Sequence, residues 1–396
     1  MRKLLLSAFI TAVIASVHVH AGVGESAVIT LVFPFGSRSS AMGETGTALA
    51  DDFSALFFNP AGLGIYNEAW QRGAMAYSWE PLLPAFQITD LWHSSFSAYY
   101  LLPEEFGGIA IYNNYINMGD NVITDAYGRV LQSVSSYETV FAAGWGFLLS
   151  STPRYTQSIG LTAKVFYSAL APGLGSDGEG TALSFAVDAG YLGIFPFGLR
   201  LGVALTNMGP AINYRTWLDN DPIPFTFNIA AGYTRQIVVD NIRAVDFAAE
   251  LRFDKELVIN NSDGHPDPFY TALFADWHNE SVDFELQEFN WHVGFETVLL
   301  NTLAFRQGYL IDPLGMRFEM HTGFGIHLFN HLRIDYSIIN APEKYMHDFN
   351  HRLTGYDEGA TGARDGQWQI SFGFEALYGW SNADIRWWEV SRKEQR

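Results

Sequence analysis

The chain of 396 residues contains no cysteine. Disulfides, thiolate nucleophiles and thiolate metal sites are therefore excluded, as is a lipid anchor on a cysteine behind a signal peptide. Basic residues are scarce, with 23 Lys and Arg against 42 Asp and Glu and a formal net charge of −19. That balance argues against nucleic acid as a partner, because such binding relies on Lys and Arg to neutralise phosphates. After Val17 no apolar run reaches the ~20 residues that a membrane-spanning helix requires. The usual catalytic signatures are missing too: there is no G-x-S-x-G elbow, no H-E-x-x-H, no P-loop and no spaced His/Cys cluster. The chain is thus expected to be no enzyme, with no catalytic residues, no metal and no cofactor. Residues 173–178 are glycine-rich, but no helix pattern follows, so they read as a loop rather than a phosphate cradle. Residues 260–267 offer oxygen ligands of the kind calcium takes, yet lack the EF-hand spacing and closing Glu, and read as a polar extracellular turn. His321, His327 and His331 could meet near one rim, though the polarity of a barrel lumen explains them without a metal.

What is present begins with a secretion signal. Arg2 and Lys3 precede an apolar run over residues 4–17, and Val19-His20-Ala21 supplies a cleavage site, so residues 1–21 read as a signal peptide. Aromatics are abundant (31 Phe, 19 Tyr, 11 Trp), which leaves a soluble β-protein or a membrane β-barrel for a secreted chain without a helical span. Period-2 alternation decides between them. Phe318, Met320, Phe324, Ile326 and Leu328 share one face, while Arg317, Glu319, His321, Gly323, Gly325 and His327 fill the other. Residues 331–339, 367–375, 244–253 and 155–167 repeat the pattern.

The predicted strands cover 70–79, 93–102, 106–115, 138–149, 155–167, 181–194, 198–207, 225–235, 244–253, 288–299, 302–310, 316–328, 331–339 and 367–375. Fourteen is an even number, as bacterial barrels have. The connections 103–105, 150–154, 195–197, 236–243, 300–301 and 329–330 are short; 80–92, 116–137, 168–180, 208–224, 254–287 and 340–366 are long, with 311–315 the exception. Short turns on one rim and long loops on the other are the mark of outer-membrane barrels, the short ones facing the periplasm. The expected fold is therefore an all-β, 14-stranded antiparallel transmembrane barrel in the outer membrane, its apolar face on lipid. Trp79, Trp92, Tyr99, Tyr100 and Tyr115 suit the aromatic girdles, and Arg317/Glu319 and Arg333/Asp335 suit charge ladders on the lumen wall.

Residues 33–64 do not alternate; their small residues and the Asn59-Pro60 and Ala61-Gly62 pairs suit tight packing and turns. Residues 22–68 are accordingly expected to form a plug or hatch inside a barrel spanning 69–375, followed by a periplasmic tail, 376–396, that holds Trp380, Trp387 and Trp388.

The block Gly36, Arg38, Ser39, Ala41, Met42, Gly43, then Ala48, Leu49, Ala50, Asp51, Asp52, then Asn59, Pro60, Ala61, Gly62, Leu63 resembles the PorV/PorQ family, relatives of FadL-like barrels. Similar stretches follow at 158–168, at 199–214 with its Asn207-Met208-Gly209, at 284–291 with its Glu285-Leu286-Gln287-Glu288, and at 293–296 and 303–309. The resemblance covers nearly all of the mature chain up to Phe374; Glu44, where a small residue is usual, and the tail depart from it. It implies a component of type IX secretion that binds the C-terminal signal domains of secreted cargo beside a giant translocon barrel. Cargo would then pass to a sortase-like attachment complex. Loops 116–137, 208–224, 254–287 and 340–366 become candidate docking surfaces, with Tyr214, Trp217, Phe269, Tyr270, Phe274 and Trp277 as candidate anchors. The alternative is a FadL-like transporter of hydrophobic small molecules in which the plug is a gate. A lumen lined by Arg, Glu, Asp and His weighs mildly against that.

Overall fold

The computed structural model describes residues 26–65, 73–84, 88–102, 106–173, 180–214, 220–240, 242–258, 266–277, 281–315, 317–328, 331–341 and 364–376. The signal peptide, the C-terminal tail, Trp217 and most of loop 340–366 lie outside the described residues. The strands are β1 Gly73–Pro81, β2 Leu91–Leu101, β3 Gly108–Thr124, β4 Val130–Ser151, β5 Thr156–Ala169, β6 Thr181–Ile194 and β7 Leu199–Met208. A two-residue ladder, β8 Ile212–Asn213 and β9 Asn220–Asp221, follows. The barrel resumes with β10 Thr226–Val239, β11 Ile242–Glu256, β12 Asn290–Leu299, β13 Leu303–Asp312, β14 Arg317–Leu328, β15 Leu332–Asn340 and β16 Trp368–Ala376.

The fourteen long strands close into one antiparallel barrel, each beside its chain neighbour, and β1 closes the ring against β16 with Gly73 opposite Ala376 and Trp79 opposite Ile370. Closure gives every strand edge a partner, which lipid demands because it offers backbone groups no hydrogen bonds. The burial pattern is inside-out relative to a soluble protein. On β14, Glu319 and His321 are buried while Phe324 and Ile326 are exposed; on β5, Thr162 and Lys164 are buried while Leu161 and Val165 are exposed. Water would penalise such an apolar outer wall, and the hydrocarbon of a bilayer would not. The chain is an integral outer-membrane β-barrel.

Aromatic rings band the rim that carries the long connections. Trp92, Tyr115, Tyr137 and Tyr167 line up on adjacent strands at 5.3, 5.8 and 5.9 Å, and Trp79, Trp368 and Tyr336 do so at 5.3 and 6.2 Å. Tyr99 does not belong to a girdle: it is buried and points inward, 6.0 Å from Phe53. Two connections also differ from expectation. Residues 116–137 are not a loop, because β3 and β4 continue as a ribbon closed by a short turn at 125–129. Loop 254–287 contains two helices, Phe269–Ala275 (α3) and Val282–Gln287 (α4). Two shorter ones, Ser37–Ala41 (α1) and Ala55–Phe58 (α2), lie in the N-terminal segment. Strand alternation cannot reveal helices of six or seven residues within a polar connection.

Candidate functional site

The N-terminal segment lies inside the barrel, since inward-facing side chains from most of the wall contact it. Thr30 donates to Glu138 of β4 through its backbone N–H (3.1 Å) and hydroxyl (2.7 Å). Asn114 of β3 donates to the Phe33 carbonyl at 3.1 Å, Ser97 of β2 to that of Phe53 at 2.9 Å, and Ser158 of β5 to that of Ala61 at 2.6 Å. On the opposite wall, the Nδ1 atoms of His292 and His321 lie 2.7 and 2.6 Å from the carbonyls of Gly43 and Ser40. Ser371 of β16 accepts the Ser37 N–H at 3.3 Å.

Two arrangements dominate. In the first, Arg38 on α1 reaches Asp51 (2.8 Å), Asp52 (3.1 Å) and, through a fork, Glu296 of β12 (2.9 and 3.0 Å). Glu296 is shared with Arg306 of β13 at 2.6 Å, Arg306 continues to Asp335 of β15 at 2.6 Å, and Arg200 of β7 meets Asp51 at 2.5 Å. A planar guanidinium suits such bidentate pairing, and each buried charge finds a counter-charge. In the second, the Glu250 carboxylate of β11 accepts four successive backbone N–H groups, from Gly46, Thr47, Ala48 and Leu49, at 3.0, 2.8, 3.2 and 2.6 Å. Consecutive amides curled around one anion form a nest, filled here by the wall's own glutamate.

The motif residues divide by role. Gly36 enters α1 at φ +83°, and Gly43 (φ +68°) brings its backbone against that of Tyr309, opposite Gly308, where a Cβ would collide with Met42 and Gly43. Asn59 donates to the Thr47 and Tyr191 carbonyls at 2.8 and 3.0 Å and accepts the Ala61 N–H at 3.1 Å, holding the turn that starts at Pro60. Met42 is buried, and Gly62 lies against the backbone of Ala50. Glu44, the residue that departs from the motif, pairs with Arg364 at 2.8 Å, so its charge is matched from outside the segment. Sequence reasoning missed the wall's share of the site: Glu250, Glu296, Arg306 and the inward glycines. The alternation marks them as polar-face or small residues, but nothing in it says which of them touch the segment.

The expected loop anchors separate. Tyr214 turns inward and donates to Ser168 at 2.8 Å; its burial pushes the phenol up to about 12. Phe269 packs edge-on against Phe225 (6.2 Å) and Trp277 against Phe227 (5.3 Å), covering the outer wall of β10. Tyr270 and Phe274 stay exposed. Beneath the insertion, the buried Lys255 ammonium meets Glu285, Glu288 and Asp276 at 2.5, 2.7 and 3.2 Å, and lies 5.3 Å from the Trp277 ring. Burial raises Asp276 to about 7 and also raises Glu288. Among the described residues no three His, Asp or Glu are grouped so as to hold a metal ion.

No family model matches the chain, and no curated protein matches it. Solved structures do resemble it. The toluene transporter TodX of Pseudomonas putida is 12% identical, with 87% of this chain and 99% of that one covered and a TM-score of 0.46. A FadL homologue of Pseudomonas aeruginosa is 9% identical, with 87% and 99% covered and a TM-score of 0.44. The outer-membrane protein Omp33 of Acinetobacter baumannii is 7% identical, with 78% and 100% covered and a TM-score of 0.40. At these values the likeness extends no further than barrel architecture.

Proposed function

We propose that this barrel works from its extracellular face as a docking component for secreted protein, without chemistry of its own. Its expected partners are those that the N-terminal block implies for type IX secretion: cargo C-terminal signal domains, the giant translocon barrel and the sortase-like attachment complex. Outer-membrane lipid surrounds it. The observation that supports this most is how the N-terminal segment is tied to the barrel wall. Arg38 and Asp51 tie residues 28–64 to the wall through Glu296 and Arg200, and the Glu250 nest ties them again. A segment held by ion pairs on several sides is suited to a plug, and a barrel so plugged would act through its surface rather than its bore. The test is affinity capture of the tagged barrel from mild-detergent membranes, with mass spectrometry. A very large outer-membrane barrel together with proteins sharing one C-terminal domain is the expected result. A barrel carrying only apolar small molecules would overturn it.

The second reading is transport of a hydrophobic small molecule. It agrees better than docking does with the transport role of the similar structures, TodX among them. One feature of this chain bears on it: Ile223, Phe225, Leu257 and Phe269 line a small hollow at the outer rim that Asp267 also lines. It requires the luminal segment to move. Uptake of an apolar probe into proteoliposomes, abolished by tethering residues 38–52 to the wall, would establish it.

A further inference from the structure

We propose that the exposed apolar face of α3 and α4 docks a folded protein whose apolar contact residues are flanked by lysine or arginine. This rests on the docking reading and names the surface and the partner's chemistry. The insertion is a built platform rather than a loose loop. Its inner side packs on the barrel's outer wall, with Ala272 buried against Phe225 and Leu257, and with Phe269 and Trp277 beside them. Lys255 fastens it from below through Asp276, Glu285 and Glu288, and Ser281 caps α4 by accepting the Phe284 N–H.

The other side is exposed among the described residues. Tyr270 and Phe274, one helical turn apart on α3, are 62% and 76% exposed; Val282 and Leu286, spaced the same way on α4, are 75% and 60% exposed. Charge selects the occupant. Residues 256–289 contain four Asp and four Glu but no Lys or Arg, and Lys255 at the base is taken up by three carboxylates. Helices that lie on anionic lipid carry Lys and Arg on their polar face, so this insertion is unsuited to a lipid headgroup surface. An apolar patch on an insertion that carries eight carboxylates and no Lys or Arg complements an apolar patch flanked by cations.

Because the chain lacks cysteine, Phe274→Cys gives a single site for an environment-sensitive dye. The labelled barrel is placed in lipid nanodiscs and titrated with a purified cargo C-terminal signal domain. The dye should report water before addition and a blue shift on binding. Affinity should fall about tenfold or more between 50 and 500 mM NaCl, as screening weakens the attraction between the acidic insertion and a cationic partner. Phe274→Glu combined with Leu286→Glu, on exposed positions that leave the barrel intact, should weaken binding about tenfold or more when read by calorimetry without the dye. A dye already buried in lipid overturns the proposal. Wild-type binding that the double substitution leaves unchanged also overturns it, while the docking reading stands. A signal domain that does not bind the wild type overturns both.

Discussion

Replacing Glu250 by alanine should release the luminal segment locally while the barrel stays closed. The carboxylate accepts four backbone N–H groups at 2.6 to 3.2 Å. Hydrogen bonds to a charged group contribute about 1.5–3 kcal/mol each, so a simple sum gives roughly 6–12 kcal/mol. Such contributions are not additive, and water can enter the space left behind. A loss of about 3–5 kcal/mol is the better expectation for removing one side of a buried charged contact. Because 1.4 kcal/mol corresponds to a tenfold change, amide exchange at residues 46–49 should accelerate by about 100-fold or more. Hydrogen–deuterium exchange of a peptide spanning 44–58, measured in detergent, reads this directly. Glu250→Gln, which keeps one oxygen but turns an NH₂ towards two of the donors, should fall between wild type and alanine. Exchange in the alanine variant within about threefold of wild type, with the barrel still resistant to SDS, would refute the reasoning, since it would mean the nest does not hold the segment.

Four other outcomes follow from the same geometry. Arg38→Ala strips a shared cation from Asp51, Asp52 and Glu296 and should destabilise residues 37–52 by about 3–5 kcal/mol; Arg38→Lys should recover only part, lacking the fork, and full recovery in a thermal melt would count against the bidentate contact. Gly308→Val places a side chain where Met42 and Gly43 approach the wall, so it should expose the segment to limited proteolysis without opening the barrel. Leu161→Arg puts a charge on the lipid-facing side of β5, at a cost of about 2–4 kcal/mol near the bilayer midplane; unchanged folding yield into vesicles would contradict the assigned outer face. For the insertion, Asp276 rises from 3.8 to about 7 on burial. The docked state thus holds a proton that the released chain gives up, and docking weakens as pH rises from about 4 to about 7, then levels off. Exchange of residues 269–277, corrected for intrinsic rates, should be slower at pH 5 than at pH 7.5; the reverse order would refute the assignment.

The sequence by itself determined the barrel. Period-2 alternation puts Phe324 and Ile326 on one face and Glu319 and His321 on the other whatever the partners are, because a strand's side chains alternate by covalent geometry. Alternate connections fall on the same rim, since a meander must return to the same side on every second turn. Strand ends were less legible. At residues 116–124 and 130–137 the apolar alternation lapses, and only pairing between β3 and β4 shows that the chain is still extended. The glycines and Arg38 of the N-terminal block stood out as unusual, but their purpose depends on distant residues. Gly43 needs Tyr309 beside it, Arg38 needs Glu296, and residues 46–49 need Glu250. Likewise Phe269 and Trp277 could not be told from Tyr270 and Phe274 in sequence, because which aromatic packs and which faces outward is set by how the insertion lies on β10. Local periodicity is a property of neighbouring residues and can be read along the chain. Contacts between residues some two hundred positions apart exist only once the ring has closed, and those contacts decided how the N-terminal segment meets the wall and which side chains remain on the surface.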